Sequence, residues 1–135
     1  MSAEVYQRVY TYHRDYAALH GYAPTSGEAC HWMHISSRTY YAALRWLAER
    51  RFLSLQARRW RGVRLNVRVC TCGAEITPQN AVFVQGKRRV YVRKHCASCY
   101  SAAQIVRARA WDARNPGYQA RLKRRERQRQ KGVSA

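Results

Sequence analysis

An α+β fold class follows from three features of the sequence. Three capped or amphipathic stretches come first, two short alternating apolar and polar runs follow, and two cysteine pairs then bracket another alternating stretch ahead of a basic end.

The first helix is predicted over about Ala3 to His20, where Val5, Val9, Tyr12, Tyr16 and Leu19 recur at spacings of four and three as one apolar stripe meant for the core. Gly21 ends it, and Pro24 keeps the connection extended. Thr25-Ser26-Gly27-Glu28 is a capping box that opens a short second helix ending near Met33. Ser36-Ser37 caps a third helix running to about Arg50, with Tyr40, Ala43, Leu44, Leu47 and Ala48 on its buried side and Arg38, Thr39, Tyr41 and Ala42 on the other. Phe52 to Ala57 and Val63 to Val69 alternate as two strands, joined by Arg58-Arg59-Trp60-Arg61-Gly62. This order is that of a winged helix-turn-helix, whose recognition helix places its N-terminal turns in the major groove of DNA. Arg38 is the best candidate for reading a base, since a guanidinium can bond guanine O6 and N7 together. Arg58, Arg59 and Arg61 suit phosphates or a narrow minor groove, and Trp60 either folds back on its own domain or wedges at a base step.

The second strand leads into Cys70-Thr71-Cys72-Gly73, and Cys96-Ala97-Ser98-Cys99 follows after residues 73–95. Between them, Ala81–Val84 and Val90–Arg93 read as strands around a Gln85-Gly86-Lys87 turn, and a helical stretch runs from about Tyr100 to Arg114. Four thiolates from Cys70, Cys72, Cys96 and Cys99 can close a tetrahedral structural site for one zinc ion. The first pair is C-x-C in place of C-x-x-C, so His95, which adjoins Cys96, is the alternative fourth ligand. Cys30 is the odd cysteine and reads as a small buried residue. Asn115-Pro116-Gly117 then breaks the chain before a tail containing Arg121, Lys123, Arg124, Arg125, Arg127, Arg129 and Lys131 against the single acid Glu126, a run expected to be helical only in part when free. The domain plan is therefore a DNA-binding domain at 1–69, a four-Cys zinc-binding module at 70–114 and a basic tail at 115–135.

Lys and Arg number 26 against 7 acids in 135 residues, a net charge of +19, and the excess is +7 over residues 1–69 and +12 over 70–135. Such a field attracts polyanions, nucleic acid first among them. No apolar run approaches the roughly 18 residues that cross a bilayer, and the N-terminus lacks an apolar signal core. The expected setting is the cytoplasm, on the nucleoid of a prokaryotic host, with no membrane partner. An odd number of cysteines, five, also argues against a disulfide framework.

The run Gln7-Arg8-Val9-Tyr10 through Gly21-Tyr22-Ala23-Pro24-Thr25, then Ile35-Ser36-Ser37-Arg38-Thr39-Tyr40-Tyr41 through Phe52-Leu53, and the Arg61-Gly62-Val63-Arg64-Leu65 segment resemble the N-terminal DNA-binding domain of the LexA repressor family. The likeness covers roughly half of the chain. Met33 and Arg51 stand where that family usually has glycine, and its self-cleaving Ser/Lys domain has no counterpart, so the resemblance implies DNA binding and nothing about autoproteolysis. It places base contacts at Ser36, Arg38, Thr39, Tyr41 and Ala42. The cysteine segment, with Phe83 between the pairs and a basic helix after them, resembles small treble-clef zinc fingers, including HNH-like ones.

An HNH-type nuclease needs a metal-binding His/Asp/Asn set. Only His95, Asn80, Glu75 and Asp112 are on offer there, and no catalytic residue is expected. The expected function is a sequence-specific, double-stranded DNA-binding transcription regulator of bacterial, phage or mobile-element origin. The alternatives are an interaction protein that docks on a host machine such as RNA polymerase or a replication protein, and a nuclease with a degenerate HNH site. Oligomeric state is left open.

Overall fold

A computed structural model describes residues 1–57, 59 and 61–133. Arg58 and Trp60, assigned above to the hairpin loop, lie outside the described residues. Among the described residues the protein is α+β, with five helices and two separate two-stranded antiparallel sheets. The order is α1 (Ala3–His20), α2 (Ser26–Met33), α3 (Ser37–Glu49), β1 (Leu53–Leu55), β2 (Val63–Leu65), β3 (Ala81–Gln85), β4 (Val90–Cys96), α4 (Ala97–Arg114) and α5 (Tyr118–Val133). The chain divides into two compact units, Met1–Cys99 and Tyr100–Ala135.

Local chemistry sets the helix boundaries of the first unit. Gly21 closes α1 in the left-handed conformation, with its N–H on the Ala17 carbonyl at 2.8 Å. The capping box of α2 forms in full: the Glu28 N–H donates to Thr25 Oγ1 at 3.2 Å, and the Thr25 N–H donates to Glu28 Oε2 at 2.7 Å. Ser36 caps α3 by accepting the Thr39 N–H at 3.1 Å. Two helix ends are closed by residues that are not glycine. His34, after α2, has φ 52°, and Arg51, after α3, has φ 60°.

The core gathers Val9 and Tyr10 from α1, Ala29 and Met33 from α2, and Tyr40, Ala43, Leu44 and Leu47 from α3, with Phe52, Leu53, Cys70, Ile76 and Cys96. Two expectations need correction here. Leu19 is not core but 80% exposed, and the fully buried face of α1 is carried by Val9, Tyr10 and His13. α1 packs on α3 and α2, and its Tyr10 and Arg14 also meet Glu75. The second expected strand also stops early. β2 ends at Leu65, one last ladder bond follows from the Asn66 N–H to the Phe52 carbonyl at 2.9 Å, and Val67 and Val69 are 56% and 62% exposed. Beyond it, Ile76 N–H donates to the Arg68 carbonyl and Val69 bridges Glu75, so this backbone pairs with the cysteine segment.

β1 and β2 pair from Leu53↔Leu65 to Leu55↔Val63. Gly62 belongs at the base of their loop, because a Cβ there would lie 2.5 Å from the Gln56 carbonyl oxygen. β3 and β4 pair with a register shift between Ala81 and Phe83. Phe83 reaches back from this hairpin to Phe52 and Trp46 at centroid distances of 6.2 and 5.6 Å. Trp46 in turn stacks flat on Tyr6 at 4.0 Å and lies under the Arg50 guanidinium at 4.1 Å.

In the second unit, Trp111 meets Tyr118 edge-on at 4.5 Å across the Asn115–Gly117 break. From Tyr118 to Val133 the basic tail is helical, as α5. Its Arg, Lys, Gln, Ala and Leu residues are all good helix formers, and that propensity outweighs the repulsion along the run.

Candidate metal centre and exposed basic face

Cys70 and Cys72 sit on a tight turn in which the Gly73 N–H donates to the Cys70 carbonyl at 2.9 Å and the Cys70 N–H donates to the Ala74 carbonyl at 2.8 Å. Gly73 takes φ 86°, which is why a glycine follows the second cysteine. Cys96 ends β4 and Cys99 lies in the first turn of α4, so a strand end and a helix start converge on that turn. The four sulfur atoms lie within 4.8 Å of one another and can hold one metal ion. Cys72 Sγ and Cys96 Sγ are 3.8 Å apart. A tetrahedron with metal–sulfur bonds of about 2.3 Å has edges of about 3.8 Å, so the spacing fits a tetrathiolate.

The sulfur cluster shifts its thiols in opposite directions. Hydrogen bonds to the Cys70 sulfur, from the Cys72 and Cys96 backbone N–H groups above all, hold its thiol down at about 5, whereas the bonds Cys99 makes within the sulfur cluster push it up to about 12. His95 is exposed, with Nδ1 3.5 Å from Thr71 Oγ1, and the ligand cluster is made of the four cysteines without it. Cys30 is half-buried and packs against the core.

Of the residues offered for a nuclease site, Asn80 and Glu75 are neighbours, each engaged in structural hydrogen bonds. Asn80 holds its own turn, accepting from the Thr77 N–H at 2.7 Å and donating to the Glu75 carbonyl at 2.8 Å. The Glu75 carboxylate accepts the Tyr10 hydroxyl at 2.7 Å and Arg14 Nη1 at 3.1 Å. Asp112 belongs to the second unit.

Of the positions assigned to duplex contact, Ser36, Arg38 and Tyr41 are exposed on the first turns of α3, and Thr39 and Ala42 are half-buried beside them. Tyr40, Ala43, Leu44 and Leu47 on the opposite side are buried. Ser36 and Thr39 also share a hydroxyl–hydroxyl bond of 2.9 Å, so part of this pair serves the cap. Arg59 is exposed. Arg61 is engaged inside the unit, with Glu28 and the Ala23 carbonyl. Arg121, Lys123, Arg124 and Arg125 are all exposed on α5.

Three groups escaped sequence reasoning: the Tyr10–Glu75–Arg14 set, the buried His13, and the Arg61–Glu28 pair. Each joins residues from 27 to 65 positions apart, which no local spacing reports. The one available signal is Tyr10 and His13 lying three apart, a helical repeat one step round from the Val5–Leu19 stripe.

No helix among the described residues is long and apolar enough to cross a membrane. No family model matches the chain, and no curated protein or solved structure matches it either, so neither the LexA resemblance nor the treble-clef resemblance gains support from these comparisons.

Proposed function

We propose that the chain is a sequence-specific double-stranded DNA-binding protein, a regulator of transcription, in which residues 1–69 form a winged helix-turn-helix and a structural zinc ion sits on Cys70, Cys72, Cys96 and Cys99. The observation that carries this reading is the two-sidedness of α3. One side is committed to the core, and the other presents Ser36, Arg38, Thr39, Tyr41 and Ala42 at the N-terminal turns of a capped helix, followed by a hairpin with a basic loop. The net charge of +19 supports a polyanionic partner, and the exposed α5 residues supply phosphate affinity that does not depend on sequence. In this reading Arg38 reads guanine and Arg58 and Arg59 approach the backbone.

When bound, zinc supplies a closed tetrahedral crosslink and no chemistry of its own. The chain's residues do the rest: the Cys72 and Cys96 N–H groups carry charge off the Cys70 sulfur, and Gly73 lets the turn close.

The test is selection of bound duplexes from a random pool at near-physiological salt, with zinc present. A defined motif is expected, and Arg38→Ala should then lose about 1–3 kcal/mol on that motif with a smaller loss on random duplex. Binding without a motif, or equal losses on both duplexes, would remove the recognition role of α3.

A second reading, docking on a host machine such as RNA polymerase, has one observation in its favour. Tyr12, Tyr16, Leu19 and the 72% exposed Trp32 line an open groove of about 700 Å³ between α1 and α2, on a surface that duplex contact through α3 does not use. Co-purification of a partner from nuclease-treated extract would favour it.

A further inference from the structure

Arg61 is where the β1–β2 hairpin is tied to the helices. Its guanidinium meets the Glu28 carboxylate through two hydrogen bonds, Nη1 to Oε2 at 3.1 Å and Nη2 to Oε1 at 3.2 Å. Nη1 also donates to the Ala23 carbonyl at 2.8 Å and reaches the Tyr16 hydroxyl at 3.5 Å, while the guanidinium carbon sits 4.5 Å from the centre of the Tyr22 ring. A bidentate pair of this kind fixes direction as well as distance, which a lysine ammonium cannot do.

Glu28 is held just as firmly. Its carboxylate accepts the Thr25 N–H at 2.7 Å as part of the capping box and the Tyr16 hydroxyl at 3.3 Å. The Thr25 bond, and then Arg61, hold this carboxyl down at about 2. One acid therefore caps α2 and grips the hairpin. Two strands of three residues each have little rigidity of their own, so the direction in which their loop points depends on such ties.

We propose that Glu28 and Arg61 form a latch that fixes the β1–β2 hairpin against the N-terminal end of α2, making both of them positioning residues for duplex binding, with Arg61 turned inward and not toward phosphate. This deepens the duplex-binding reading and rests on it. Two readings of Arg61 give opposite signs for Glu28. If Arg61 contacted phosphate, removing the acid that competes for it would tighten binding or leave it alone. If Arg61 is a latch, removing that acid frees the hairpin and weakens binding.

The experiment uses the 135-residue chain loaded with zinc and a fluorescein-labelled duplex, read by anisotropy across a salt series, with melting followed in parallel. Glu28→Gln keeps the capping box, since glutamine also serves at that position, and loses only the ion pair. The expected result is weakening of about tenfold for Glu28→Gln and for Arg61→Lys, with Glu28→Gln combined with Arg61→Ala no weaker than Arg61→Ala alone. The salt slope of Glu28→Gln should match that of the unaltered chain, because no phosphate contact is lost. Should Glu28→Gln melt well below the parent chain, Arg61→Lys, which leaves the capping box untouched, decides: weakened binding with unchanged melting supports the latch, and binding as tight as the parent chain overturns it. Glu28→Gln or Arg61→Lys binding as tightly as the parent chain overturns the latch while leaving DNA binding intact. A parent chain that binds no duplex at all overturns the underlying reading instead, and the latch with it.

Discussion

Arg51 and His13 show how much one residue can cost or contribute. Arg51 ends α3 with φ 60°, its N–H on the Ala48 carbonyl and the Phe52 N–H on the Leu47 carbonyl, both at 3.0 Å. A side chain in this conformation costs about 1 kcal/mol. What the turn supplies to its neighbours is the Arg51 carbonyl, which accepts from Asn66 Nδ2 and Arg68 Nη2, and glycine would keep it. Arg51→Gly should therefore raise stability by about 0.5–1 kcal/mol in urea unfolding, and a loss would mean that the arginine side chain holds something the backbone does not. His13 runs the other way. It is buried, with Nε2 2.9 Å from the Tyr40 hydroxyl and, among the described residues, no partner on Nδ1, and burial pushes its pKa from 6.5 down to about 4. Between those values the unfolded chain binds the proton and the folded chain does not, so stability is complete above about pH 6.5 and drains away as pH falls through about 4. The loss approaches about 3 kcal/mol. Comparing wild type with His13→Gln at pH 7 and pH 4.5 separates this from acid release of metal; the variant should lose less than the wild type, and equal losses would place the acid sensitivity elsewhere.

Among the elements, the turn carrying Cys70 and Cys72 has the widest reach. Directly after it come Glu75, bonded to Tyr10 and Arg14 of α1, and Ile76, buried in the core. Gln79 adds a third tie, its N–H donating to Gln7 Oε1 at 3.0 Å. Stripping the metal should loosen this segment and withdraw its support from α1. We expect chelation to lower the melting temperature of the α1–α3 helices by about 10 °C or more in circular dichroism, and an unchanged helical transition would show that the two parts are independent. Elements with a local signature were legible from the sequence. The capping box, Gly21, Ser36, the glycine after the second cysteine and the cysteine spacing each act through backbone groups a few residues away. The end of β2 at Leu65 and the rotated face of α1 were not legible, because residues far along the chain decide them.

At the scale of the molecule, the uneven charge was plain in the sequence, and the lack of a linker between Val69 and Cys70 pointed to two parts packed together, whereas the residues that join them were not legible. Residues before and after position 70 share one core in the first unit, through Ile76, Cys70 and Cys96 and through Phe83 against Phe52 and Trp46. Composition shifts at that point in the chain, but a junction in composition is not a boundary in packing, and the aromatic seam that crosses it leaves no trace in local pattern. The seam also has a consequence in time. A ribosome makes α1, α2 and α3 first, so Tyr6, Tyr10, Trp46 and Phe52 can meet one another early, but the Glu75 carboxylate that accepts from Tyr10 and the Phe83 ring that closes on Phe52 and Trp46 emerge only afterwards, the last two sulfurs later still, at 96 and 99. Throughout that interval the nascent chain carries an open aromatic flank, and the last stitch of the unit waits for Cys99.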